Sequence, residues 1–399
     1  MLAFIIAPFI IALFIVILIR TTKYLRVYHV RGLKLIEFIL GLILFSGFSL
    51  AIIAFLLPSN FILKRLLTKI AYYWVGVLLY AVVALAISLL VRHTIWLFMK
   101  NKGYSILAAR NNTIVFVLLF TTIMSISGIY NAHKLRITNY EIDINKKSFV
   151  DNLNVVLIAD LHIGYNDGLK EMKDMVDSIN SLNPDIVILA GDIFDNEYEA
   201  IENPNEMVKV LNSIKTKYGK YATYGNHDIQ EKLLLGFGFE WSKEAKSKVK
   251  ADERMNKFVE DAGFEFLYDS YALIGDSIYI YGRPDASKIN FGNTSRLSPN
   301  EITKKMDKDK TIICVDHQPG ELEELATAGV DLDLSGHTHN GQFWPGTLTI
   351  KLFWKNAYGL MRIGNMVSIV TSGVGLYGFN MRTGCFPEVV NIKINFNNQ

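Results

Sequence analysis

The chain has 399 residues, 51% of them hydrophobic, and a formal net charge of +3. That balance hides two unlike parts: residues 1–132 carry twelve Lys/Arg against one acid, Glu37, a net of +11, while the remaining 267 carry 29 basic and 37 acidic side chains, a net of −8. Two cysteines, Cys314 and Cys385, exclude a disulfide framework and read best as small buried side chains. The net −8 argues against a nucleic-acid substrate, whose recognition needs a surplus of cations.

In chain order, four uncharged apolar runs come first: 2–19, 38–63, 70–91 and 111–132. Each has the roughly 18 residues that a helix needs to cross about 30 Å of hydrocarbon. The first does not read as a cleaved signal peptide, because no basic residue precedes it and no small-x-small site follows before Arg20. A four-helix transmembrane region over 1–132 is therefore expected. The loops around Arg20–Lys34 and Arg92–Arg110 hold nine Lys/Arg, against five in the intervening loop and the exit of the last span. By the positive-inside rule the nine are cytoplasmic, both chain ends face outward, and everything from about 133 is extracytoplasmic. The expected domains are the four-span region 1–132, a linker with a first strand at 133–150, and a globular domain at 151–399.

In that globular part, strand-length apolar runs end in polar residues of one kind. Residues 153–159 lead to Asp160-Leu161-His162, and 185–190 to Gly191-Asp192-Ile193-Phe194-Asp195. Residues 221–224 lead to Gly225-Asn226-His227-Asp228, 311–315 to Asp316-His317, and 330–334 to Ser335-Gly336-His337-Thr338-His339-Asn340-Gly341. β-Branched runs this continuous suit strands buried on both faces. Between the first two, Leu169, Met172, Met175, Val176, Ile179 and Leu182 fall at helical spacing before Asn183-Pro184, and Met207, Val210, Leu211 and Ile214 suggest a second helix. The alternation predicts an α/β sheet covered by helices, with its site beyond the strands' carboxyl ends, where all five fragments fall.

Carboxylate, amide oxygen and imidazole together suit a hard or borderline divalent ion, and the lack of cysteine among them points away from structural zinc. In an extended segment His337 and His339 would point the same way and face a common centre. Asp192 is placed to bridge two cations about 3.5–4 Å apart, which can clamp a phosphate and acidify a water.

Asp-x-His, Gly-Asp-x-x-Asp, Gly-Asn-His-Asp, a lone His and Gly-His-x-His, in this order, resemble the five motifs of the calcineurin-like metallophosphoesterases. The tail Thr371-Ser372-Gly373-Val374-Gly375, Arg382 and Pro387-Glu388 is similar to that of the bacterial membrane-anchored members. The resemblance implies an αββα domain and two divalent ions, manganese favoured over iron or zinc. It assigns Asp160, His162, Asp192 and His339 to one ion, and Asp192, Asn226, His317 and His337 to the other. It makes His227 the group that protonates the leaving oxygen or stabilises its charge, with Asp195 orienting the ring. Asp228 stands where the family often has Glu, so its role is left open. The implied reaction is hydrolysis of a phosphate ester by attack of a metal-bridging hydroxide without a phosphoenzyme; a phosphodiester is the expected substrate, and whether it is linked to a lipid is left open.

The substrate is less legible. Residues 229–310 offer a candidate cap insertion whose Phe237, Phe239 and Trp241 either dip into a membrane interface to admit a lipid phosphate or pack on the core. Arg382, Arg283, Asn340 and Gln342 either contact phosphate or serve salt bridges and turns. Two other classes remain: a non-catalytic metal-binding scaffold or sensor on the same fold, which would be expected to lack ligands this chain keeps, and a transporter with a regulatory hydrolase domain. Against the transporter, Glu37 is the one acid near the spans and sits at a span end.

Overall fold

The computed structural model describes residues 33–99, 106–235, 237–238, 252–287 and 296–397, with Ile19 alone before them. The described residues group into two compact units. The first takes those within Met1–Ile129, Lys232–Lys246 and Gly378–Met381, and the second those within Tyr130–Glu231, Ser247–Tyr377 and Arg382–Gln399.

The first unit is helical: α1 (Leu33–Leu56), α2 (Ile62–Met99) and α3 (Ile106–Ala132). Among the described residues two helices are long and apolar enough to cross a membrane, Ile62–Met99 and Asn112–Ala132, rather than the four expected. The first expected span, 2–19, lies outside the described residues apart from Ile19. The second, 38–63, is broken: α1 stops at Leu56 and α2 starts at Ile62. Pro58 lies in the gap, and proline disfavours helical backbone in the residue before it. The expected span 70–91 is the middle of α2, whose 38 residues would measure about 57 Å, longer than the hydrocarbon. Lys64, Arg65 and Lys69 lie towards one end of it and Arg92 towards the other, and the 22 residues between Lys69 and Arg92 are uncharged.

The second unit is a two-sheet sandwich. Its strands and helices, in chain order, are β1 (Arg136–Ile144), β2 (Asn152–Ile158), α4 (Leu169–Ser181), β3 (Ile186–Ala190), α5 (Pro204–Asn212) and β4 (Lys220–Thr223). After the small hairpin β5 (Leu233–Leu234) and β6 (Phe237–Gly238), which belongs to the first unit, come α6 (Glu253–Asp261), β7 (Glu265–Phe266), β8 (Ser270–Ile274) and β9 (Ile278–Gly282). The chain continues through α7 (Pro299–Thr303), β10 (Thr311–Val315), α8 (Leu322–Ala328), β11 (Leu332–Ser335), α9 (Gly346–Thr349), β12 (Gly359–Ile363), β13 (Met366–Val370) and β14 (Glu388–Phe396).

One sheet has the order β1-β14-β2-β3-β4-β7 and the other β12-β13-β11-β10-β9-β8. Within them β2-β3-β4-β7 and β13-β11-β10-β9 are parallel runs. Alternation along the strands builds the layers. Val155 and Leu157 join Ile186, Ile188, Ile313, Leu332 and Ile369 in the core between the sheets. Their neighbours Val156 and Ile158 turn outward to Met172, Met175, Met207 and Phe258 of the helices. Tyr279, Tyr281, Ile312 and Cys314 pack likewise against Ile302, Leu322 and Leu325. The result is helix, sheet, sheet, helix. Cys314 and Cys385 are both buried and free.

Part of the stretch weighed as a cap belongs to this frame: residues 253–282 supply α6 and β7–β9, because Ile278 and Ile280 face the core between the sheets while Tyr279 and Tyr281 face the helices. Phe239 and Trp241 lie outside the described residues, and Phe237 pairs through its backbone with Leu234 in the small hairpin.

Leu157 has no exposed surface in the core between the sheets. Leu157→Ala is expected to destabilise the second unit by about 2–5 kcal/mol, read as a lowered thermal midpoint. A change below about 0.5 kcal/mol, typical of a surface site, would contradict this packing.

Candidate metal centre

The parallel strands end on one side, and the residues just past those ends leave β geometry abruptly. Asp160 (φ 53°), His162 (43°), Asp192 (49°), His337 (68°) and His339 (48°) all take left-handed backbone. Each costs of order 1–3 kcal/mol and persists only where its surroundings hold it. Here the loops hold one another. Asp160 N donates to Gly191 O at 2.9 Å, His162 N to Asp192 O at 3.1 Å, and His337 N to both carboxylate oxygens of Asp160 at 3.0 Å. Gly225 and Gly336 are needed for close approach: a Cβ on the first would meet Asp192 Oδ1 at 2.2 Å, and on the second Asp160 Oδ2 at 2.6 Å.

These turns gather two groups of three, Asp160–His162–His339 and Asp192–His317–His337, each with its ligand atoms all within 4.8 Å of one another. In the first, His162 Nε2 and His339 Nε2 are 3.1 Å apart, and His339 Nε2 is 3.7 Å from Asp160 Oδ1. In the second, His317 Nε2 lies 3.2 Å from His337 Nδ1 and 3.0 Å from Asp192 Oδ2. The same Asp192 oxygen is 3.8 Å from His162 Nε2, so one carboxylate oxygen stands between the groups. His337 and His339 do not share a centre, as extended geometry would have it. Their left-handed turns send them to different groups.

The donor set fits two divalent ions. Burial lowers His162 and His337 to about 4 and lowers His339 as well, which keeps their ring lone pairs available for coordination. Burial would lower His317 too, but the Asp192 carboxylate outweighs it and raises it. Burial opposes ionisation of Asp192, yet His317 and His227 hold its carboxyl well below the usual range. Asp160 is raised to about 7, first by burial and then by Asp192. Carboxylates and imidazoles this crowded need positive charge among them. Asn226 Oδ1 is buried without a hydrogen-bond partner, a cost of about 1–3 kcal/mol that a cation would remove.

Around the groups lie residues whose roles the motifs do not state. His227 Nδ1 donates to Asn196 Oδ1, not to Asp195, whose carboxyl lies 4.0 Å from His162 Nδ1 and is raised to about 8 by burial and then by Glu197. Tyr377 lays its ring 4.5 Å from His227 and 5.4 Å from His162, held by Gln342, which donates to Tyr377 O and accepts from Tyr377 N. Trp354 stands edge-on to His337 at 5.3 Å. Asp228 accepts from Ile193 N, Phe194 N and Gly225 N at 2.7–2.9 Å, tying the turn of Asn226 and His227 to the loop of Asp192.

Arg382 is turned to the backbone of the loops around the site. It is fully buried and donates to the carbonyls of Ser372, Phe386, Gly373 and Gly375, with Nη2 3.3 Å from His339 Nδ1, so its guanidinium ties the loop between β13 and β14 to that histidine. Arg283 is equally buried, paired to Asp316 at 3.0 Å and Glu321 at 2.8 Å. Asn340 sits in the turn after His339, its N–H given to Thr338 Oγ1 at 3.2 Å.

Residues 153–341 match the sequence profile of the calcineurin-like phosphoesterases. The chain carries a calcineurin-like metallophosphoesterase domain. The profile stops at the Gly-His-x-His turn, so Tyr377 and Arg382 lie beyond it. Relatives of this metallophosphoesterase domain include a transmembrane protein with metallophosphoesterase domain from Danio rerio, 28% identical over 300 residues that cover 70% of this chain and 62% of that protein. A metallophosphoesterase of Campylobacter jejuni is 27% identical over 259 residues, 63% of this chain and 62% of its own. One from Bacillus subtilis is 25% identical over 250 residues, 60% of this chain and 78% of its own. The chain thus spans less than two thirds of the first two.

Asp228→Asn puts an amide nitrogen against backbone N–H donors. It is expected to cost about 1–3 kcal/mol and to weaken metal uptake, read by thermal midpoint and by metal content after dialysis. An unchanged midpoint and content would contradict the bracing role.

Proposed function

We propose that the chain is a membrane-anchored phosphoesterase that depends on two divalent ions and hydrolyses a phosphodiester, lipid-linked in its natural setting. The observation that carries the reading is Asp192 Oδ2, 3.0 Å from His317 Nε2 and 3.8 Å from His162 Nε2, one oxygen shared by two ligand groups. Asp160, His162, Asp192 and His339 would hold one ion, and Asp192, Asn226, His317 and His337 the other, with manganese the first choice. When bound, the ions supply positive charge for the phosphoryl oxygens and lower the pKa of water.

The chain's own residues do the rest. With Nδ1 committed to Asn196, the His227 ring can carry a proton on Nε2 and donate it to the leaving oxygen, and Tyr377 at 4.5 Å fixes the plane of that ring. Asp195 is not needed to orient it. Arg283 and Arg382, the arginines weighed as phosphate contacts, are turned to carboxylates and carbonyls, which favours a diester of lower charge over a dianionic monoester. Asn340, at the rim of the turn, is the polar side chain we assign to substrate.

Membrane anchoring is supported by the helices Ile62–Met99 and Asn112–Ala132 and by the Danio rerio relative's description as a transmembrane protein. We read the further apolar stretches 2–19 and 38–63 as additional anchoring segments, the domain limits as 1–132 and 151–399, and the domain as extracytoplasmic from the nine-to-five distribution of Lys/Arg.

The test loads the full chain with manganese and compares a bis-ester with a mono-ester chromogen. The bis-ester is expected to be preferred. His227→Ala should keep both ions and lose roughly 10²–10⁴-fold in turnover, and Asp192→Asn should lose metal and activity together. Full metal and full activity in Asp192→Asn would overturn the reading.

A further inference from the structure

We propose that the turn around Gly346–Phe353 is a docking tip for the surface of an anionic lipid bilayer. Residues 334–387 contain no Asp or Glu and four Lys/Arg, inside a part of the chain whose net charge is −8. Of these, Arg382 is buried and Lys355 pairs with Glu323, while Lys351 and Arg362 are exposed. The cationic stretch also carries apolar surface. Leu348, Leu352 and Phe353 are 62%, 82% and 78% exposed, and Tyr358 and Leu360 add to them.

Leu348 and Leu352 are one helical turn apart and share a face, with Lys351 beside them. A protein surface scatters such side chains singly. Three large ones within six residues, with a lysine among them and no acid, follow the pattern of an interfacial segment, whose apolar side enters the headgroup boundary while its cations meet anionic lipid. The inference rests on the anchoring proposed above, because a chain fixed in a bilayer meets that surface at high effective concentration.

The tip is coupled to the metal centre through its next residue. Phe353 faces solvent and Trp354 turns inward to the ring of His337. Docking would therefore seat the mouth of the site at headgroup level, where a lipid-borne phosphate ester lies.

The experiment labels Leu352→Cys with an environment-sensitive fluorophore in the full chain, reconstituted in phosphatidylcholine–phosphatidylglycerol vesicles. Cys314 and Cys385 are buried, and the unsubstituted chain provides the labelling blank. Lys257→Cys, on an exposed polar helix face, is the reference, and Phe353→Cys is a second site should the first fail to fold. The Leu352 label is expected to emit to the blue of the reference and to be quenched by doxyl-labelled lipid, less so in pure phosphatidylcholine. Emission as in water without quenching would overturn the docking. A blue shift that lipid does not quench would also overturn it, since a protein partner or a second copy then covers the tip. Extraction of the chain by carbonate would instead refute the anchoring, and the docking with it. Hydrolysis enters none of these readouts, so failure of the assigned reaction is seen separately.

Discussion

The structure depends on one carboxylate. Asp192 is buried, held on left-handed backbone after β3, and its Oδ2 stands 3.0 Å from one histidine and 3.8 Å from another that belong to different ligand groups. A lone buried carboxylate is expensive. This one is tolerated because His227 N donates to Oδ1 at 2.8 Å and because imidazoles from two sheets converge on it. The sandwich exists, in functional terms, to bring that convergence about. His162 and Asp160 follow a strand of the first sheet, and His317, His337 and His339 follow strands of the second.

The turns are as important as the strands. Five candidate ligand residues sit in a backbone region that costs L-residues energy, and each is held by a hydrogen bond from a neighbouring loop or by a glycine that lets a carboxylate approach. Asp228 and Arg382 do the same work from below. One fastens the His227 turn to the Asp192 loop through three backbone N–H groups, and the other gathers four carbonyls around His339. Neither needs to touch a substrate.

The sheet frame and the ligand types were legible in the sequence, since β-branched runs ending in Asp, Asn and His state both where strands stop and which atoms gather there. Residues 169–182 announced α4 by their spacing. Other features were not legible, for physical reasons. Apolar content alone joined 38–63 into one span, although Pro58 lies inside it. Period-two reasoning put His337 and His339 on one centre, because it cannot see that a left-handed turn divides them. Asn196 displaced Asp195 as the partner of His227 through a contact 31 residues away in sequence, Tyr377 reaches His227 across a still longer separation, and Trp354 meets His337 from the loop after β11, contacts that no local pattern records. An arginine's burial, as for Arg283 and Arg382, depends on which carbonyls and carboxylates the fold leaves beside it.

The most direct test is anomalous scattering from crystals of the manganese-loaded chain, collected on both sides of the metal's absorption edge. Two peaks should appear about 3.5–4 Å apart, one among Asp160, His162 and His339 and the other among Asp192, His317 and His337, with the Asp192 carboxylate touching both. A single peak, or two peaks that do not share Asp192, would contradict the account.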